Sequence, residues 1–169
     1  MAATYEAIAT VEVGSGGAAN IEFTSIPGTY TDLAIMCSAR NTGAEPQMNI
    51  EFNGSTSGYS YRRLNADGSI ADSASGSGLS KVPIGRMNDS TQTANTFASN
   101  FIYIPNYASS NNKSISSEGA NENNATAARM TMWAALWANS AAITSIKLIP
   151  EAFNFAQYST ATLYGIKNS

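Results

Sequence analysis

The sequence predicts an all-β protein: an antiparallel β-sandwich, jelly-roll-like, with about eight to ten strands in one domain covering residues 1–169. Three observations carry that expectation. Short runs that alternate apolar and polar residues recur at spacings of roughly 10 to 20 residues. Clusters of Gly, Asn, Ser and Pro punctuate them, as tight turns require. No segment has the frame of a crossover helix, and no repeat of fixed period points to a propeller or solenoid.

The first strand is predicted over residues 4–13, where Tyr5, Ala7, Ala9, Val11 and Val13 share one face and Glu6, Thr10 and Glu12 the other. Gly14, Gly16 and Gly17 break the pattern and predict a hairpin into a second strand over 19–26. Pro27-Gly28 then makes a corner, because Pro pre-sets its own φ and Gly accepts whatever the turn demands next. The strand beyond it, 30–39, has the strongest claim to the centre of the fold. Leu33, Ile35, Cys37 and Ala39 give it one apolar face, while Ala34 and Met36 make the other apolar as well.

Alternation resumes over 47–53 through Met48, Ile50 and Phe52, and Asn53-Gly54 marks the next turn. A short strand follows over 59–64. Residues 65–80 are rich in Gly, Ser and Ala with only Ile70 and Leu79 large and apolar, so a long surface loop is expected there. A brief strand over 81–86 and a polar loop over 87–95 lead to a strong strand over 96–104, which Pro105 stops. A short strand over 113–117 precedes another polar loop over 118–126. Residues 127–138 admit two readings. Met130, Trp133, Leu136 and Trp137 fit helical spacing and alanine favours a helix, yet no start or stop signal frames one and every neighbour is a strand. Strand is the reading adopted. Runs over 142–149 and 158–166 complete the set.

Composition narrows the function. Charged residues make up 12% of the chain, against about 25% in ordinary domains, while there are 22 Ser and 17 Asn. The surface must be polar through hydroxyls and amides. Hydrophobic content of 43% and a net charge of −3 argue against disorder. A pI near 4.8 leaves no basic footprint for nucleic acid. No run approaches the roughly 18 apolar residues of a membrane span, and residues 1–10 lack the pattern of a signal peptide, so synthesis in a cytoplasm without export is expected. Cys37 stands alone, which rules out an internal disulfide and predicts an inert core thiol.

The absence of histidine removes Ser-His-Asp and Cys-His catalysis and, with a single Cys, an ordinary zinc site. The glycines at 14–17 lack the Lys-Ser/Thr ending of a phosphate loop. Glu22 and Glu51 are the best available members of a glycosidase-type acid pair, but each lies on the polar side of its strand and reads as a solvated side chain. Residues 65–69 with Asp72 faintly echo a calcium loop and are read as an Asp-Gly turn. Trp133 and Trp137 are read as core rather than as sugar platforms. No catalytic residue, cofactor or metal is expected. Tyr59, Tyr61, Arg62 and Arg63 form the densest cluster of contact-prone types and are the partner-contact candidates.

Four segments, Phe23-Thr-Ser-Ile-Pro-Gly-Thr-Tyr-Thr-Asp-Leu, Ile50-Glu-Phe-Asn-Gly, Tyr59-Ser-Tyr-Arg-Arg-Leu and Ala161-Thr-Leu-Tyr-Gly-Ile, resemble in order and spacing a group of small virion proteins of tailed bacteriophages, marine and cyanobacterial ones included. The resemblance implies a β-sandwich carried on the virion, as a capsid decoration or cement protein. Its partners would be the major capsid protein or other virion proteins and further copies of itself as a homo-oligomer. The alternative it implies is a tail-fibre or spike component that binds a host-surface glycan through Tyr59, Tyr61 or residues 65–95. It brings no catalytic residues.

Overall fold

The computed structural model describes residues 4–124 and 128–167, and among these there is no helix. Twelve strands form two antiparallel sheets. They are β1 (Tyr5–Glu12), β2 (Ile21–Phe23), β3 (Asp32–Ala39), β4 (Gln47–Phe52), β5 (Tyr59–Ala66), β6 (Ala71–Leu79), β7 (Val82–Arg86), β8 (Ala98–Ile104), β9 (Lys113–Ala120), β10 (Met130–Trp137), β11 (Ile146–Pro150) and β12 (Thr160–Ile166). The larger sheet runs β1-β12-β3-β8-β9-β10-β5-β6 and the smaller β2-β11-β4-β7. The all-β sandwich expected from the alternating runs is what the chain forms, with twelve strands where eight to ten were expected.

The pairing is nested. β1 lies on β12, β2 on β11, β3 on β8 and β4 on β7, as if one long hairpin had been folded over into two layers. The hairpin β5–β6 and the pair β9–β10 are inserted into this scheme and extend the larger sheet past β8. The expected hairpin between the first two strands is therefore not made. The glycines at 14–17 carry the chain from one sheet to the other, and both strands find partners near the far end of the sequence. Pro27-Gly28 makes the same kind of crossing from β2 to β3. There the Tyr107 hydroxyl donates to the Pro27 carbonyl, and the Tyr30 ring lies so close over Gly165 that a Cβ would sit 2.3 Å from it.

Side-chain alternation puts Leu33, Ile35, Ile102, Ile104 and Leu163 of the larger sheet against Ile50, Phe52, Ile84 and Leu148 of the smaller, all fully buried. Cys37 joins them at 4% exposure. β3 is less symmetrical than its sequence suggests. Ala34 is covered on its outer side, but Met36 is 49% exposed, so the strand is central within its sheet without being covered on both faces. Polar side chains stitch the layers together. Asn100 Nδ2 donates to the Arg86 carbonyl (2.9 Å) and Ser117 Oγ to the Ile84 carbonyl (2.5 Å), tying β8 and β9 to β7. The Asn100 carbonyl oxygen is squeezed between two glycines, since a Cβ on Gly119 or Gly85 would lie 2.4 or 2.5 Å from it.

The segment expected as a loop over 65–80 is instead the end of β5, a tight turn and β6. Asp67 makes the turn by accepting hydrogen bonds from the Ser69 and Ile70 amides at 3.0 and 2.9 Å, with Gly68 at φ +87°. β6 pairs with β5 along its backbone, from Ala66↔Ala71 to Tyr59↔Leu79, with one bulge. Its Ala, Ser and Gly side chains bury little, so it is held by ladder hydrogen bonds and by Asp72, which accepts from Arg63 and Asn65 of β5. β9 likewise runs on to Ala120 beyond the expected 113–117. The strand reading of 127–138 holds over β10; Ala127 itself, and the last two residues of the expected 118–126 loop, lie outside the described residues.

Candidate interaction surface

The two outer faces of the sandwich differ in chemistry. On the smaller sheet, Lys147 stands between Glu22 and Glu51 in the cross-strand register and its Nζ lies 3.6 Å from Glu22 Oε1. Lys81 pairs with Glu151 at 3.2 Å. This is a solvated, ion-paired face. It also disposes of the acid pair, because Glu22 and Glu51 straddle a lysine in the open rather than a substrate cleft.

From β3 to β6 the outer face of the larger sheet carries almost no exposed charge; Glu12 lies on its β1 edge, and Asp32 of β3 is buried against Tyr103. One line of cross-strand partners crosses all eight strands: Thr10, Thr162, Met36, Phe101, Glu118, Met132, Leu64 and Ser73. The parallel line on one side runs Ser38, Ser99, Ala120, Met130, Ala66, Ala71. The line on the other runs Ala34, Tyr103, Ser116, Ala134, Arg62, Ser75. Between β3 and β6, Glu118 and Arg62 are the charges on these three lines. Met130, Leu64 and Met132 are 70%, 63% and 61% exposed. Scattered apolar residues need no explanation, but large ones gathered on one face mark a contact surface.

The face is dished where Leu64, Ala66, Phe101, Ala120, Met130 and Met132 meet, leaving an open groove of about 640 Å³. A second groove of about 600 Å³ shares Leu64 and Met132 with it and runs towards Arg62 and Ser75. Methionines suit such a surface, since their unbranched thioethers repack against whatever covers them. Ile70, also exposed, sits beside the groove on the β5–β6 turn.

The four sequence-derived contact candidates divide by strand parity. Tyr59 points inward at 1% exposure, where the Phe52 amide donates to its hydroxyl (2.8 Å) and its ring stacks on Trp137 at 6.2 Å between centroids. Burial pushes its phenol up to about 12. Tyr61 also faces inward, half-buried, with Trp133 at 5.3 Å. Arg63 lies over the Trp133 ring and donates to Asp72 Oδ1 at 2.6 Å, which holds that carboxyl below its usual range. Arg62 alone faces out, into the exposed field. Neither tyrosine is placed to stack on an external sugar, and Trp133 and Trp137 are buried in the core. The faint calcium-loop pattern resolves into the Asp67 turn and the Arg63–Asp72 pair, and no group of three or more possible ligands gathers among the described residues.

Sequence reasoning looked for density along the chain and so missed Met36, Phe101, Glu118, Met130 and Met132. The available signal was the apolar residues on the second face of the 30–39 and 127–138 strands, where Met36, Met130 and Met132 alternate with core residues. Comparison of the chain with protein-family models, with curated proteins and with solved structures found no match in any of the three.

Proposed function

We propose that this protein is a non-enzymatic structural component of a tailed-bacteriophage virion that decorates or cements the capsid shell. The observation that carries the reading is the outer face of the eight-stranded sheet. A protein working alone in water gains nothing from Met36, Leu64, Met130 and Met132 exposed together on one face, whereas a component assembled among neighbours buries them. The resemblance of the 23–33, 50–54, 59–64 and 161–166 segments to small phage virion proteins supports it. So does the nested order of the eight non-inserted strands, which we read as a jelly-roll winding of the kind viral shells use. Fold alone assigns no function, so the face and the segments carry the weight.

The partners on this reading are the major capsid protein or other virion proteins and further copies of this chain, and no nucleic acid, membrane or cofactor takes part. The test is to locate the protein in purified particles by cryo-electron microscopy with a labelled copy. Density on the head lattice at regular positions is expected. Density confined to the tail, with binding of the isolated protein to host-envelope glycans, would overturn the reading in favour of a fibre or spike component.

A further inference from the structure

We propose that the outer face of the eight-stranded sheet is a self-complementary interface on which a second copy of this chain docks, making a twofold dimer. The pairing uses the same face as the virion reading but rests on that face alone.

Three features of the face select a second copy as the occupant. The first is size. From β3 to β6 the face is six strands wide and about seven residues long, roughly 29 by 23 Å at ordinary sheet spacings. Full overlap would bury on the order of 1,300 Å² for two copies, at the low end of the about 1,200–2,000 Å² of specific interfaces, and the crossed placement set by the charges covers roughly two-thirds of it, the size of a weak, concentration-dependent contact. The second is the arrangement of charge. Glu118 lies on the central line of the face, and Arg62 lies two strands and one line away, roughly 12 Å off on an ideal sheet. One exposed acid and one exposed base on these three lines are brought together when the field meets its own copy turned over. A twofold axis lying in the face and passing between Met132 and Ala134 of β10 does this. It sets Glu118 against Arg62 of the second copy, Arg62 against Glu118 of the second copy, and Met132 close to Leu64 of the second copy.

The third is composition. The contacts so formed are methionine, leucine and alanine with serines around them, the apolar centre and uncharged polar rim of a close-packed interface. An isologous contact of this kind closes at two copies, with Met130 and Met132 covered at its centre and Met36 at its margin. A glycan would meet the half-buried rings of Phe101 and Tyr103, the latter with its hydroxyl committed to Asp32, and scattered serines, with no carboxylate–amide cluster to hold its hydroxyls. A charged partner would meet one acid and one base about 12 Å apart, which is poor complementarity for a surface of a single sign.

The experiment is sedimentation or light scattering on the purified chain across a wide concentration range, with variants chosen at exposed positions so that folding is spared. The parent is expected to dimerise. Met132→Asp is expected to be monomeric with its melting temperature in the parent's monomer range. Glu118→Arg and Arg62→Glu each place like charges together and are expected to weaken the dimer by about tenfold or more. The double reversal restores opposite charges and is expected to recover the parent's dissociation constant within about threefold. A parent that stays monomeric at every concentration overturns the proposal, as does a dimer that survives Met132→Asp or a double reversal no tighter than the single ones. A dimer in a protein absent from virions would leave this inference standing and remove the virion reading; a capsid-bound protein that is monomeric by itself would do the reverse.

Discussion

The tightest joint in the sandwich lies where Asn100 reaches across from β8 to the Arg86 carbonyl of β7 while its own carbonyl oxygen sits between Gly119 and Gly85. Consider Gly119→Ala. Gly119 is in a strand with no positive φ, so alanine there should gain a few tenths of a kcal/mol from a stiffer unfolded chain. Its Cβ, however, would stand 2.4 Å from Asn100 Oδ1, about 1 Å inside an ordinary contact, in an interior with no slack. Overpacking of that order costs about 1–3 kcal/mol, and at about 2–4 °C per kcal/mol for a chain of this length the melting temperature should fall by roughly 2–12 °C. Asn100→Ala alone strands the Arg86 carbonyl and costs a comparable 1–3 kcal/mol or so. The double variant has no oxygen to clash with, so it should be no less stable than Asn100→Ala. The coupling, about 1–3 kcal/mol in favour of the double, is measured by guanidinium unfolding followed through the buried Trp133 and Trp137. Additivity within about 0.5 kcal/mol, or a Gly119→Ala protein as stable as the parent, would refute the clash.

Leu33→Asp removes a fully buried side chain and inserts an unpaired carboxylate, a loss beyond about 5 kcal/mol that should leave no cooperative melt; a parent-like transition by circular dichroism would show the centre to be elsewhere. Burial pushes the Cys37 thiol from an ordinary 9.0 up to about 12, so the native protein keeps a proton that the unfolded chain gives up. The stability this represents is whole below pH 9 and lost as pH rises towards 12, on the order of 4 kcal/mol by the upper end. Guanidinium midpoints should fall across that window, less steeply in Cys37→Ala, and native Cys37 should resist alkylation at pH 8.5; a flat profile to pH 11 or rapid labelling would contradict it. Arg40 holds the 88–96 loop by donating to the Thr93, Thr96 and Gln92 carbonyls at 2.9, 3.0 and 3.2 Å. Arg40→Met should make that loop exchange amide hydrogens and yield to protease sooner, while the β3 core stays protected; unchanged protection of residues 90–96 would show the guanidinium to be idle.

Much of the fold could be read from alternation because most strands have one face in the core, and burial imposes the period of two. β10 was ambiguous for a related reason: its outward Met130 and Met132 are as apolar as its inward Trp133 and Trp137, so alternation had little contrast. β6 was illegible because Ala, Ser and Gly carry almost no burial signal and its backbone pairing with β5 leaves none in the sequence. Partners of strands were the hardest to read. The glycine loop at 14–17 looks like a hairpin turn, yet hydrogen bonding to β12 and β11, more than a hundred residues further along, decides where β1 and β2 go, and nothing local encodes that. The same holds for the contact face. Met36, Phe101, Glu118, Met132 and Leu64 come from five strands and form one line only through register, whereas the adjacent Tyr59, Tyr61, Arg62 and Arg63 alternate between opposite sides of the sheet.

Nested pairing has a consequence for how the chain is made. β12 is the sole link between β1 and β3, and β2 reaches β4 only through β11. During synthesis, then, the hairpin β5–β6 and the pair β9–β10 can close as soon as they leave the ribosome, because their partners are close in sequence. The amino-terminal strands must wait, unpaired, until nearly the whole chain has emerged. Closing loops of this length is entropically costly and places such folds among the slow ones. While β1 and β2 wait, the apolar residues of 4–13 and 19–26 are open to the wrong neighbour, whereas β3 needs only β8. Scarce charge is a risk in that interval, and the abundant serine and asparagine, together with the bulge and the two glutamates of β1, are what the sequence offers against premature association.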